Sequence, residues 1–154
     1  MKTIITTVGI SLFENAKCEE TTLDRLDRPY TPEDWEETLD DRESISEWIL
    51  SWWAKTDKTK ASAEIQTLIN MKTHLRSEDG EYQTIFVTSD TISGYLAGKI
   101  LERLLCPEPD LPDPALGIHV ESVNRIPGLR VDATKQQTII EGFHRYIEFM
   151  LETT

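Results

Sequence analysis

The chain has 154 residues, 38% of them hydrophobic and 29% charged, which is enough to bury the core of one domain without disulfide or metal staples. With 28 Asp and Glu against 16 Lys and Arg, the net charge of −12 argues against broad binding to duplex nucleic acid, which depends on neutralising many phosphates. It does not exclude a small anionic ligand held locally by backbone N–H groups and one or two cations. No run of about 18 apolar residues is present to span a membrane, and the polar N-terminus reads as a strand, not a signal peptide. Cys18 and Cys106 lie far apart and form no CxxC pair, so neither a disulfide framework nor a metal cluster is expected, and a cytoplasmic location is the default.

Residues 3–8, TIITTV, are rich in β-branched side chains and stop at Gly9, the pattern of a buried strand with a sharp exit. The following SLFENAKC reads as a short helix with Ser11 in its first turn. Residues 19–55 form a loop and helical insertion, in which the polar run 19–31 is expected to be the loop. Thr31 as N-cap, Pro32 at the first helical position and acids in the first turn open the helical part. Its apolar face uses Trp35, Leu39, Ile45, Trp48, Ile49 and Trp52, and is imperfect enough to predict a split near Asp40-Asp41. KASAEIQTLINMKTHL is a further helix, offering Ile65, Leu68, Ile69 and Met71 to a core.

Residues 82–90, YQTIFVTSD, read as a second buried strand running straight into the helix TISGYLAGKILERLL, whose Ile92, Leu96, Ile100 and Leu104 share one stripe. Residues 106–116 are a proline-rich surface loop, and 117–123, GIHVESV, a third strand. An amphipathic helix using Ile139, Ile140, Phe143, Ile147 and Met150 closes the chain. The alternation predicts a single α/β domain over 1–154: a Rossmann-like, mostly parallel sheet with helices on both faces.

Ligands on such sheets bind beyond the carboxyl ends of the strands, which singles out junctions 9–15, 88–94 and 124–136. At the first, Gly9 permits a tight turn, and Ser11 either holds a phosphate or merely caps a helix; Asn15 faces the same mouth or solvent. At the second, Thr88, Ser89, Asp90, Thr91 and Ser93 cluster at a strand end. The run from Gly94 to Lys99 is G-x-x-x-G-K followed by Ile, which lacks both the Walker spacing and its magnesium-binding hydroxyl, so nucleoside triphosphatase chemistry is rejected. Gly94 and Gly98 instead admit a close neighbour: a strand, a second subunit or a flat base. Lys99 is either solvated or aimed at the mouth.

The third junction sets Arg125, Arg130 and Lys135 beside Asn124, Asp132 and Gln136, the densest positive patch in an acidic chain. His74, His119 and His144 show no pairing by spacing, and no HxxxH or Ser-His-Asp arrangement exists. Any chemistry is therefore expected to be metal-free and to rest on positioning and cations.

In order and spacing, TTVGISLFENA, SAEIQTL, IFVTSDTISGYLAGKIL and IPGLRVDATKQQTIIEGF resemble the motifs of the CRISPR-associated Rossmann-fold (CARF) family, in its standalone ring nuclease branch. The resemblance implies a homodimer that binds cyclic oligoadenylate, most often cyclic tetra-adenylate, in a two-fold symmetric pocket. It further implies a ring nuclease without metal or other cofactor, in which a ribose 2′-OH attacks the adjacent phosphate. The products are linear with 2′,3′-cyclic phosphate ends, and their formation switches off type III CRISPR antiviral signalling.

Carried over by position, Ser11 orients the scissile phosphate and Lys99 stabilises the transition state, with Lys135 the second choice for the catalytic cation. The implied ligand contacts are Gly9, Ile10, Ser11, Asn15, Thr88, Ser89, Asp90, Thr91, Ser93, Gly94, Arg130, Asp132 and Lys135. Ile10 stands where a small polar residue is expected, which removes one phosphate contact. Only FHRYIEFMLETT follows the last motif, which favours a signal-degrading enzyme or a bare sensor over a two-domain effector. The alternatives are a non-catalytic sensor of the same ligand and, outside the family, a nucleotide- or sugar-phosphate-binding enzyme on a generic parallel sheet.

Overall fold

The three β-branched runs become strands β1 (Lys2–Val8), β2 (Tyr82–Thr88) and β3 (Val120–Arg125), in sheet order β1-β2-β3 with both pairings parallel. The structure is a computed structural model that describes residues 2–74, 82–108, 112, 116–127 and 147–152. Between β1 and β2 the chain forms α1 (Ser11–Asn15), α2 (Glu20–Leu26), α3 (Pro32–Glu37), α4 (Leu39–Trp53), a 3-10 turn (Lys58–Lys60) and α5 (Ala63–His74). Helix α6 (Ile92–Leu105) connects β2 to β3. The architecture is thus a three-stranded parallel sheet flanked by helices, consistent with a Rossmann-like single domain.

Register decides which strand residues enter the core. Val8 pairs with Thr88, Thr6 with Phe86 and Ile4 with Thr84. From this side of the sheet Val8, Phe86, Val120 and the partly buried Ile4 and Val123 join a core with Leu12, Phe13, Ile49, Ile65 and the α6 stripe. Phe86, Phe13, Leu12, Leu101 and Ile49 are among the largest fully buried side chains. Burial also pushes the Cys18 thiol up to about 11, so this free cysteine is a small core hydrophobe.

Gly98 explains how α6 reaches the sheet. A Cβ there would lie 2.5 Å from Thr88 Cγ2 and 2.9 Å from Val123 Cγ1, so the close neighbour is the pair of strands beneath the helix. Gly94 is equally confined, with Ser89 Oγ 2.1 Å from where its Cβ would stand. Gly98→Val is expected to destabilise the fold by about 3 kcal/mol, because neither strand can retreat without breaking its ladder. Urea unfolding checks this, and an unchanged midpoint would mean the helix is free to lift.

Four sequence expectations change. Residues 19–31 are not all loop: α2 forms there, burying Thr22 and Leu26 on one side. Its charged residues conceal a narrow apolar stripe, and Arg25 clamps Asp41 of α4 with two hydrogen bonds of 3.0 and 2.9 Å. That guanidinium holds the half-buried Asp41 carboxyl below the usual carboxylate range. The third strand begins at Val120, not at 117, because Gly117 adopts φ 62° just before it. The split of the long helical region is real but falls at Thr38, which ends α3 and precedes α4. On α4 the buried residues are Ile45, Ile49 and Trp53, whereas Leu39 and Trp48 are exposed. Trp48 lies across the surface and donates its indole N–H to Ala16 O at 2.7 Å.

Candidate functional site

Val8, Thr88 and Arg125 are register partners across the sheet, so the three strands end flush. With neighbouring strands about 4.8 Å apart, the three strand ends lie on one edge within about 10 Å. The sheet therefore brings the first and second junctions, and the start of the third, to a common mouth.

At the first junction Ser11 is engaged. Its Oγ accepts the Ala63 N–H at 3.0 Å and donates to Glu64 Oε2 at 3.1 Å. The other oxygen of that carboxylate, Oε1, accepts the Gly9 N–H at 2.8 Å. Glu64 lies in the first turn of α5, whose Ser62 caps it by accepting the Ile65 N–H at 3.2 Å. Asn15 reaches the same segment, donating Nδ2 to Ala61 O at 3.0 Å. Ser11 and Asn15 thus fasten α1 to residues 61–64, and Ile10 between them and the strand is 46% exposed.

At the second junction the hydroxyl cluster is largely used up in building the turn. Thr91 caps α6 by accepting the Gly94 N–H at 3.1 Å, and Ser89 Oγ lies 3.0 Å from Thr91 Oγ1. Thr88, Asp90, Thr91 and Ser93 are all buried. The cover comes from the insertion: Ile92 N–H donates to Arg28 O at 3.0 Å, Tyr30 N–H donates to Asp90 O at 3.1 Å, and Pro29 bridges Thr91. Residues 28–30 therefore sit on the exit of β2.

Arg125 locks that cover. Its Nη1 donates to Asp90 Oδ1, and its guanidinium lies 4.0 Å from the centroid of the Tyr30 ring. Tyr30 packs in turn on Tyr95 at 5.6 Å and Trp35 at 5.8 Å between centroids. Beside them a cleft of about 440 Å³ is lined by Tyr30, Tyr95, Asn124, Arg125 and Pro127, with Glu148, Phe149 and Glu152 from the helical residues 147–152.

Lys99 stands apart from these groups. It lies seven residues past Ile92, about 10 Å along the axis of α6 from the mouth, and its exposed ammonium pairs with Glu102 at 3.2 Å. Arg130, Asp132, Lys135 and Gln136 lie outside the described residues, as does His144. Glu64 and Tyr30 were not singled out in the sequence. Glu64 looks like any acid in a helix's first turn, and Tyr30 sits in a run without periodicity. Only the fold shows that both reach the strand ends.

Among the described residues no three His, Cys, Asp or Glu side chains group as a metal ion would require. No helix among them is long and apolar enough to cross a membrane. No curated protein matches the chain significantly. The family model of a CRISPR-associated protein, Cas_APE2256, matches residues 59–151, which takes in Glu64, β2, α6 and β3. With more than half of its length so matched, the chain belongs to the Cas_APE2256 family of CRISPR-associated proteins.

Proposed function

We propose that the chain is a homodimeric ring nuclease that binds cyclic tetra-adenylate and opens it without metal, ending type III CRISPR signalling. The observation that carries this reading is the flush row Val8, Thr88 and Arg125, which sets the first two junctions and the start of the third at one edge. Two copies facing each other across that edge would offer two sets of donors to a ring of four phosphates. Membership of a CRISPR-associated family supports the biological setting.

In this reading Ser11 hydrogen-bonds a non-bridging oxygen of the scissile phosphate and holds it in line with the neighbouring ribose 2′-OH. The 2′-oxygen forms its bond to phosphorus as the bond to the 5′-oxygen breaks. The 2′-proton passes to solvent, and the departing 5′-oxygen is protonated from it, leaving a 2′,3′-cyclic phosphate and a 5′-OH. A cation near the phosphorane stabilises the added charge. Lys99 is the first candidate for that cation and Lys135 the second; Lys99 stands two turns from the mouth, so it would have to leave its pair with Glu102 to serve. The ligand contacts expected of Gly9, Asn15, Thr88, Ser89, Asp90, Thr91, Ser93, Gly94, Arg130 and Asp132 remain part of the proposal.

Titration with the ring is expected to saturate at one ring per two chains, with light scattering giving a dimer. Saturation at one ring per chain, or no binding, would contradict the reading. One observation favours the sensor alternative: the Ser11 hydroxyl already has partners in Ala63 and Glu64.

A further inference from the structure

We propose that Glu64 is a built-in competitor for the phosphate, holding the site shut until ligand displaces its carboxylate; this rests on the reading that Gly9 and Ser11 receive a phosphate. Glu64 is only 5% exposed, and no Lys, Arg or His forms an ion pair with it among the described residues. A buried carboxylate without a cation is costly unless its oxygens are well used. Here one oxygen takes the Gly9 N–H and the other the Ser11 hydroxyl, at 2.8 and 3.1 Å. An ionised carboxylate and a phosphodiester present the same face to these donors: two oxygens that only accept.

The hydroxyl makes the competition exclusive. Ser11 has one proton, which Glu64 takes, while one of its lone pairs takes the Ala63 N–H. With Glu64 in place Ser11 has no donor for a ligand, and two anions would crowd one corner. Entry of a phosphate therefore requires the Glu64 side chain to leave, and its place in the first turn of α5 couples that departure to the helix. A glutamine of the same shape removes the charge, so it accepts more weakly from the Gly9 N–H and the Ser11 hydroxyl and does not repel an incoming anion. A phosphate then displaces it more readily.

The test compares wild type, Glu64→Gln and, as an exposed control in α1, Glu14→Gln. The probe is cyclic tetra-adenylate carrying 2′-fluorines, which has no nucleophile and so reports binding alone. Glu64→Gln is expected to lower Kd by about tenfold, the scale of a hydrogen bond to a charged group, with Glu14→Gln unchanged. Without ligand it is expected to melt at or above the wild-type temperature, since a buried charge has been removed. Unchanged or weaker binding overturns the proposal while leaving the ring-binding reading intact. A fall in melting temperature of more than about 5 °C also overturns it, making Glu64 a structural tie between α5 and β1. Absence of binding by wild type and variant alike defeats the ring-binding reading itself, and the competitor role with it.

Discussion

Ser11→Ala is expected to slow cleavage of cyclic tetra-adenylate by about 100- to 1,000-fold, with a change in affinity of no more than about tenfold. The asymmetry follows from what one hydroxyl does in the proposed reaction. A donor aimed where charge develops is worth more in the transition state than in the bound ring, so its loss falls mainly on the chemical step. The fold should survive the change. The Ala63 N–H that Ser11 accepts is exposed and can turn to water, but Glu64 Oε2 also loses its donor, so the structural cost is about 2 kcal/mol. Single-turnover kinetics on a saturating ring separates the two effects. Equal loss of rate and affinity would mean that Ser11 holds the ligand without assisting its cleavage.

Arg125→Ala is expected to destabilise the protein by about 3 kcal/mol and to loosen residues 28–30 more than any other part. Its guanidinium serves the Asp90 carboxylate, which is 10% exposed, and stacks on Tyr30 at 4.0 Å. Removing it takes one hydrogen-bonded cation from that carboxylate and the guanidinium plane from Tyr30. Arg125→Lys should recover only part of the loss, because an ammonium cannot stack as a planar fork does. Urea unfolding gives the magnitude. Hydrogen exchange at the amides of Tyr30 and Ile92, which bond Asp90 O and Arg28 O, gives the location. Full stability in Arg125→Ala would show that aromatic packing and the backbone hydrogen bonds hold the cover without it.

How much of this was legible in the sequence depends on the range of the cause. Strands were readable because β-branched runs report a local preference, and Gly9 marked where β1 ends. Gly94 and Gly98 announced a close approach, but the partner of Gly98, Thr88 with Val123, required the tertiary fold. Helix α2 was hidden because charge dominates its composition while burial of Thr22 and Leu26 decides its structure. The site suffered most. Glu64 meets Gly9 from 55 residues away and Arg125 meets Asp90 from 35, and no local pattern encodes such pairs. The cluster at 88–93 was recognised as polar and well placed, yet its hydroxyls serve the N-cap of α6 and lie beneath residues 28–30.

The most direct test of the ring nuclease proposal is incubation of the purified protein with labelled cyclic tetra-adenylate in excess EDTA, with rings of three and six adenylates alongside. The expected result is conversion of the four-membered ring, over many turnovers, to linear product with a 2′,3′-cyclic phosphate end. A ring that binds and stays intact over hours would contradict catalysis and leave a sensor in its place.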